Sequence, residues 1–430
     1  MVDNHTQTVC LVPGPIHLFW TTGVYFFFDL IEEYDVILVV DSNYKKDRKF
    51  KKVVKLAHSI YYLEENHKNL FTQHKQYYET SKNVIKKHKP KFVFQHNHVC
   101  PFNIYLFNMS KKMGAYNISF QNGFQHECPQ TEHLILKANH ISLIKQHSRL
   151  RSMQPVWLIW LRVTLREIYS YYFNYYLIPI LLTKKPLWTP FDPVRHSIKR
   201  GIRRHNHYDL RLVYTNEEEI KTLTENAKNI LQIKNPILDN YREVQKYIYE
   251  DTPRMKNRII ILPDGATSDY LFLEKKLKSN DTILLLTEKW TKVIKIISKK
   301  FTNYEIGIKL HPKQENDKIW QQVISNLKKV YQNLVNYPVR EDASRLVIES
   351  KIVVAEASTV LWFASNLEKD RILISLNLFD LPLADAFASD QRINYFESLN
   401  NLKKFALKRV GNAQTNKHQT LNNLLKNLDN

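Results

Sequence analysis

Two short motifs in the second half of the chain place polar side chains directly after apolar runs. The run Glu305–Leu310 leads into His311 and Pro312, and the run Lys351–Ala355 leads into Glu356, Ser358 and Thr359. An imidazole can donate to a phosphate or carry a proton, and proline fixes the backbone. Hydroxyls that open a helix, together with free main-chain N–H groups, are typical phosphate ligands. Each motif alone also fits a chance dipeptide or an ordinary helix cap.

The elements that must position these residues alternate in the pattern of βα units. Short β-branched runs alternate with amphipathic stretches, which predicts parallel sheets. Because ligands of such sheets bind at the carboxyl ends of the strands, both motifs are expected at one cleft. The predicted strands of the first half are Thr8–Val12, Asp35–Val40, Ile60–Leu63, Lys91–Gln95 and Tyr116–Phe120, and those of the second half are Asp209–Tyr214, Arg258–Leu262, Glu305–Leu310, Lys351–Ala355 and Arg371–Leu376.

The predicted fold class is therefore α/β, with two Rossmann-like domains that face a cleft. With 430 residues the chain is long enough for two cores. We predict an N-terminal Rossmann-like domain over 1–142, a basic aromatic helical segment over 143–207, a C-terminal Rossmann-like domain over 208–410 and a tail or helix over 411–430.

The pair of motifs resembles the His-Pro and Ser/Thr motifs of bacterial sialyltransferases, polysialyltransferases and related capsule transferases of the GT-B fold. The resemblance implies that the cytidine-nucleotide phosphate of the donor is held here. It assigns donor binding to residues after three strands: Gly265, His311, Pro312, Glu356, Ser358 and Thr359.

A third family motif, two acidic residues followed by glycine, supplies the catalytic base, and this chain departs from it. Pro263-Asp264-Gly265 has one acid, whereas Gln121-Asn122-Gly123 has none and amides cannot take a proton. The candidate bases are therefore Asp264, or His126 or Glu127 beside the second variant, with His311 as a further catalytic candidate. Expected acceptor-side residues are His96, Gln121, Asn122 and Gly123.

The resemblance implies an inverting glycosyltransferase that transfers an acidic sugar, sialic acid or a Kdo-like ulosonic acid, from a cytidine-nucleotide donor to a glycan or lipid-linked acceptor in surface polysaccharide synthesis. A donor that carries its own phosphate requires no metal, and no cofactor is expected. The same motifs fit a CDP-glycerol or CDP-ribitol phosphotransferase of teichoic-acid-like polymers. A non-catalytic basic membrane-binding protein is the third alternative.

Charge is the strongest compositional signal. The net charge is +21, which indicates a polyanionic neighbour. Between Leu143 and His205 stand twelve Lys and Arg residues against two acids, interleaved with ten aromatic residues. That composition is typical of an interfacial helix on an anionic membrane, and a buried helix pair is the alternative. No nucleic-acid module is recognised, so no nucleic-acid partner is expected.

Cysteine use and the first residues indicate the compartment. Three cysteines make no disulfide framework and fit a reducing cytosol. The polar run Met1–Thr8 carries no secretory signal. We therefore expect a cytoplasmic protein, peripheral at the inner face of the membrane.

Overall fold

The structure is a computed structural model of the whole chain. It describes residues 7–14, 16, 19–64, 69–96, 101–120, 165–166, 168–189, 191, 208–213, 230–249, 254–264, 267–273, 275–311, 314–339, 341–356, 358–365, 367, 370–381, 388, 392–404 and 419–429. The chain divides into two compact units, and residues 253–415 belong to the second.

The first unit is built on a seven-stranded parallel sheet in the order β3-β2-β1-β4-β5-β6-β7. Its strands are apolar on both faces because helices cover both sides of a parallel sheet. They are β1 Thr8–Val12, β2 Asp35–Asp41, β3 Ser59–Leu63, β4 Phe92–His96, β5 Tyr116–Phe120, β6 Leu210–Val213 and β7 Ile230–Gln232.

The helices of the first unit follow the predicted alternation. A π-helical turn, Phe19–Gly23, precedes the first helix, and 3-10 turns, Ser42–Lys46 and Val54–Leu56, flank the second. The helices are α1 Val24–Ile31, α2 Phe50–Val53, α3 Leu70–His88, α4 Pro101–Lys112, α5 Ile178–Thr183 with a preceding π-helical turn Phe173–Leu177, and α6 Pro236–Tyr249.

The predicted domain boundary at residue 208 is wrong. The strand Leu210–Val213, expected to open the C-terminal domain, pairs with β5 in the first sheet, where Ile118 faces Leu210. Helix α6 also belongs to the first unit, since Nδ2 of Asn240 donates to the carbonyl of Tyr25 over 3.2 Å. The sequence of a short apolar run does not determine which strand it pairs with. The prediction therefore assigned Leu210–Val213 to the wrong sheet.

The second unit has a six-stranded parallel sheet in the order β10-β9-β8-β11-β12-β13. Its strands are β8 Lys256–Leu262, β9 Glu305–Lys309, β10 Val335–Tyr337, β11 Ser350–Ala355, β12 Ile372–Leu376 and β13 Asn394–Phe396. Its helices are α7 Thr267–Leu273, α8 Ser279–Lys300, α9 Lys318–Val330, α10 Ala343–Ile348, α11 Thr359–Ser365 and α12 Leu399–Lys404.

The core of the second unit packs two long helices against its sheet. Trp290 of α8 and Trp320 of α9 are fully buried against the apolar strands β8, β9 and β11. Burial of this apolar surface is the main force that holds the helices on the sheet.

The last helix, α13 Leu421–Asp429, returns to the first unit, where Nδ2 of Asn422 donates to the carbonyl of Asp29 over 2.9 Å.

Candidate functional site

The predicted motif residues of the second unit meet at one edge of its sheet. Strand β8 lies between β9 and β11, so the carboxyl ends of the three strands are adjacent. His311 follows β9, Asp264 follows β8 and Glu356 follows β11. The structure thus brings these three residues to one edge of the sheet. The strand-end argument predicted this for the motifs at His311 and Ser358, and Asp264, a candidate base, lies at the same edge. Gly265 and Pro312 lie outside the described residues.

Glu356 is the most unusual side chain at this edge. Its carboxyl group is fully buried, and its Oε2 accepts from the main-chain N–H of Asp264 over 2.9 Å and from Oγ1 of Thr267 over 2.7 Å. Its Oε1 is buried without a hydrogen-bond partner among the described residues. Burial raises the pKa of Glu356 to about 8, and the charge of Asp264 adds to the increase. At neutral pH the group is therefore mainly protonated, and its O–H can donate.

Gln314 ties the loop after β9 to the loop after β8. Its side chain is buried, its Nε2 donates to the carbonyl of Asp264 over 3.0 Å, and its Oε1 accepts from the main-chain N–H of His311 over 2.7 Å. The N–H of Gln314 in turn donates to the carbonyl of His311 over 2.8 Å. The backbone at His311 is thus fixed, while its side chain is exposed. A fixed backbone with an exposed imidazole suits a residue that contacts a ligand.

Ser358 caps the short helix α11. Its Oγ accepts from the N–H of Val360 over 3.3 Å, which is the usual helix-cap contact. The helix-cap interpretation of this serine is therefore confirmed, and its contact with a donor phosphate stays a prediction. Only the backbone of Thr359 is described, as the first residue of α11.

Lys309 is a residue that sequence reasoning missed. It is the last residue of β9 and is buried, and its Nζ donates to the carbonyl of Leu310 over 3.2 Å. Burial lowers the pKa of Lys309, although the nearby acids Asp342 and Glu341 act in the opposite direction. The signal was a lone cation inside the apolar run that precedes His311. Gln314 and Thr267 gave no such signal, because their roles depend on contacts between separate loops.

The predicted acceptor-side residues fall mostly outside the described part of the chain. Residues 121–150 are not described, which removes Gln121, Asn122, Gly123, His126 and Glu127 from structural comment. His96 is the last residue of β4, at the carboxyl edge of the first sheet. Within the described ranges no group of three or more His, Cys, Asp or Glu residues could hold a metal ion.

The basic aromatic segment is described only over part of its length, from residue 165 to 191. Its inner face packs within the first unit: the rings of Tyr175 and Trp188 stack at 3.9 Å, and both lie against Ile104. Oδ1 of Asn174 lies 3.1 Å from Nε2 of His74, which is fully buried. Because that amide oxygen can only accept, Nε2 carries the proton, and Nδ1 of His74 accepts from the hydroxyl of Tyr105 over 3.1 Å.

The outer face of the same segment is apolar. Tyr169 is 64% exposed, Leu181 59% and Phe191 80%, and Phe173 lies 4.4 Å from the ring of Tyr169. We call these four residues the aromatic strip. Lys184 and Lys185 are exposed beside it. None of the helices in the described ranges is both long and apolar enough to cross a membrane.

Comparisons with known proteins identify the fold. A search of family models and a search of curated proteins each found no match. Among solved structures, the chain is similar to UDP-GlcNAc 2-epimerase from Methanocaldococcus jannaschii, with a TM-score of 0.55, 12% identity and coverage of 98% of this chain and 99% of that chain. The same enzyme in complex with UDP-GlcNAc and UDP gives a TM-score of 0.50 at 11% identity, with coverage of 98% and 99%.

These likenesses agree with the two parallel-sheet units. The chain has a GT-B-like fold, as the alternation of strands and helices predicted. A glycosyltransferase from Rickettsia africae is also similar, with a TM-score of 0.42 at 14% identity over 93% of this chain and 86% of that chain. That score is too low to carry an argument about function.

Proposed function

We propose that the chain is a glycosyltransferase whose second unit holds a nucleotide-activated sugar at the carboxyl ends of β8, β9 and β11. The hydrogen-bonded group of Glu356, Asp264 and Gln314 carries the proposal, because it joins these three strand ends around a buried neutral carboxyl. Ligands of open α/β sheets bind at this edge. Buried polar groups with shifted pKa values are typical of functional sites.

The paired carboxyl groups suit an acid–base division of labour. Burial keeps Glu356 protonated at neutral pH, and Asp264 is half-buried beside it. A neutral carboxyl can donate a hydrogen bond to a ligand, whereas a carboxylate can accept a proton. In the proposed step Asp264 takes the proton of the acceptor hydroxyl as that oxygen bonds to the anomeric carbon. The bond from that carbon to the donor phosphate breaks, and its electron pair goes to the phosphate oxygen. His126 and Glu127 remain the rival bases.

His311 is proposed to stabilise the leaving phosphate. Its exposed ring follows a backbone that Gln314 holds on both sides. A hydrogen-bond donor already fixed where negative charge develops is an effective source of transition-state stabilisation. Lys309 lies two residues before His311, and its buried Nζ donates to the carbonyl of Leu310 over 3.2 Å, so a basic group stands at the end of β9.

The proposed donor is a cytidine-nucleotide-activated acidic sugar, a sialic acid or a Kdo-like ulosonic acid. Support comes from the resemblance of the His311-Pro312 and Ser358-Thr359 motifs to those of sialyltransferase-like families. The net charge of +21 suits an acidic donor and an acidic glycan or glycolipid acceptor. The donor carries its own phosphate, so the proposal requires no metal.

The aromatic strip is proposed to rest on an anionic membrane surface. Tyr169, Leu181 and Phe191 are exposed and Phe173 is half-buried, while Tyr175 and Trp188 of the same segment are packed within the first unit. Aromatic residues beside lysines match the headgroup region, where rings insert and cations meet anionic lipids. Such a position would bring the enzyme to a lipid-linked acceptor.

A second candidate comes from the solved structures. The two structures of UDP-GlcNAc 2-epimerase from Methanocaldococcus jannaschii share this fold, so conversion of a uridine-nucleotide sugar by this chain is the rival function. Transfer from CDP-glycerol is a further rival, because it fits the same motifs.

The three functions are separated by product analysis. The intact chain is incubated in turn with CMP-sialic acid, CDP-glycerol and UDP-GlcNAc, each with a sialylated oligosaccharide, and products are identified by mass spectrometry and NMR. We expect CMP release with a sialylated oligosaccharide one sugar longer. Conversion of UDP-GlcNAc to an isomer of equal mass, without transfer, would replace the proposal with the epimerase.

A further inference from the structure

A dense basic surface lies between β2 and β3 of the first unit. From Lys45 to Lys55 the chain has seven cationic residues and one acid. Five of the cations are exposed, and we call them the basic ridge: Lys45, Lys46, Arg48, Lys51 and Lys55.

The nearby acids do not neutralise the basic ridge. Asp47 is engaged inside the segment, where Oδ2 accepts from Nε1 of Trp20 over 2.8 Å and Oδ1 accepts from the N–H of Lys49 over 2.8 Å. Glu64 pairs with Lys45 over 3.1 Å. The other four members have no acidic partner within the described residues. Their charge is therefore available to a ligand.

The ridge is held by a rigid support. Tyr44 and Phe50 are buried, their rings meet edge to face at 4.7 Å, and Phe19 packs on both at 5.7 and 5.5 Å. The hydroxyl of Tyr44 donates to the carbonyl of Gly14 over 2.6 Å. Cations on an ordered support lose less conformational freedom on binding than cations on a flexible tail.

The ridge starts at the ligand-binding edge of the first sheet. Strand β2 ends at Asp41, and the 3-10 turn that carries Lys45 and Lys46 begins at the next residue. The bond from Tyr44 to Gly14 ties this turn to the end of β1. The carboxyl edge of an open α/β sheet is where its ligands bind.

The residues around the basic ridge indicate which class of polyanion it can bind. Tyr44, Phe50 and Val53 are buried, and Val54 and Leu56 are half-buried, so none of the apolar side chains of the segment is fully exposed for insertion into a bilayer. Tyr44 and Phe50 are the two aromatic residues of the stretch 42–56. Because both are buried, this stretch has no exposed ring for stacking on unpaired bases. A hydrated polymer with regularly spaced anionic groups fits a ridge of this kind.

We infer that the basic ridge binds an acidic polysaccharide chain and holds the growing acceptor at the first unit. The role of this polysaccharide as acceptor rests on the proposed glycosyltransferase function. Its binding to the ridge does not depend on catalysis. Because charge pairing dominates, the affinity falls as salt rises.

The test measures binding of fluorescein-labelled polysialic acid to the intact chain by fluorescence anisotropy at several salt concentrations. One variant carries Lys46→Gln, Arg48→Gln, Lys51→Gln and Lys55→Gln. The matched control removes the same charge from exposed residues of α8 and α9 in the second unit: Lys295→Gln, Lys299→Gln, Lys328→Gln and Lys329→Gln. We expect the ridge variant alone to lose affinity by about tenfold or more and to show a shallower salt dependence.

Several outcomes overturn the inference. Equal loss in both variants would show that only net charge matters. Tighter binding of duplex DNA, or of phosphatidylserine vesicles, with the same dependence on the ridge would assign it to another partner. Melting curves verify folding, and the double variant Lys46→Gln and Lys55→Gln replaces the fourfold variant if the latter is unstable.

The failure of the inference is distinguishable from failure of the proposed function. If CMP does not raise the melting temperature of the wild type but polysialic acid still binds through the ridge, the donor assignment fails and the ridge assignment stands. If CMP raises it but polysialic acid does not bind, the ridge assignment fails alone.

Discussion

The Oε2 atom of Glu356 accepts a hydrogen bond of 2.9 Å from the main-chain N–H of Asp264, which joins the carboxyl end of β11 to that of β8. The contact has two consequences. It places a buried, mainly protonated carboxyl beside a second carboxyl, and it fixes the backbone of the proposed base. Gln314 fixes the same residue from the other side through its carbonyl.

Glu356→Gln should flatten the dependence of stability on pH. The pKa of Glu356 is raised from 4.5 to about 8, so its contribution is fully present below the unfolded value and is lost as pH rises through the folded value. Between these values the wild type should lose up to about 1.4 kcal/mol of unfolding free energy per pH unit from this group. Glutamine mimics the neutral form and cannot titrate. Urea denaturation across this range measures both slopes, and equal slopes would show that Glu356 is not buried as described.

Asp264→Asn should abolish turnover and leave nucleotide binding intact. The amide keeps the shape of the side chain but cannot take a proton, so the loss should be about 10²-fold or more. Glu127→Gln is the matched variant for the rival base. Turnover near the wild-type rate in Asp264→Asn, with loss in Glu127→Gln, would move the base to the other motif.

Ser358→Ala should weaken nucleotide binding by more than its effect on stability explains. Loss of the cap contact to Val360 costs about 1 kcal/mol of stability. Asn69→Ala is the control, because Oδ1 of Asn69 makes the same kind of contact, 2.8 Å from the N–H of Phe71, at the start of α3 in the first unit. If both variants lower stability and neither changes nucleotide affinity, Ser358 is a helix cap and nothing more.

Leu181→Ser should reduce binding to anionic vesicles at every salt concentration. The side chain is 59% exposed in the aromatic strip, and its apolar contribution is not screened by salt. Leu284→Ser is the control, since Leu284 is 67% exposed on α8 of the second unit. Co-sedimentation with phosphatidylserine vesicles measures both. If the wild type does not bind vesicles, or if both changes reduce binding equally, the aromatic strip is not a membrane-binding surface.

The sequence alone predicted the long strands, but it did not predict the short strands or the order in which strands pair. Runs such as residues 36–40 are apolar throughout and mostly β-branched, so their assignment as strands depends on local pattern alone. The strands Ile230–Gln232, Val335–Tyr337 and Asn394–Phe396 have three residues each, too few for a period to be seen. Pairing of Leu210–Val213 with β5 depends on contacts far along the chain, which no local pattern records.

The site shows the same division. The sequence predicted that the motifs at His311 and Ser358 would share one edge, because parallel strands end there, but it left the place of the base open among Asp264, His126 and Glu127. The raised pKa of Glu356 could not be predicted, since it depends on complete burial beside Asp264. The role of Gln314 depends on two loops whose spacing along the chain says nothing about their distance in space.

The proposed function requires that the second unit bind a cytidine nucleotide at the ends of β8, β9 and β11. The direct measurement is the thermal melting of the wild type, of His311→Ala and of the control His58→Ala with CMP, CDP, UDP and GMP. His58 is 45% exposed in the first unit and pairs with Asp35 at 3.7 Å. At about 100 times its dissociation constant CMP should stabilise the wild type and the control by roughly 2.7 kcal/mol, and His311→Ala clearly less. Stabilisation by UDP and not by CMP would exclude a cytidine-nucleotide donor. An equal effect of CMP on all three proteins would exclude a nucleotide site at His311.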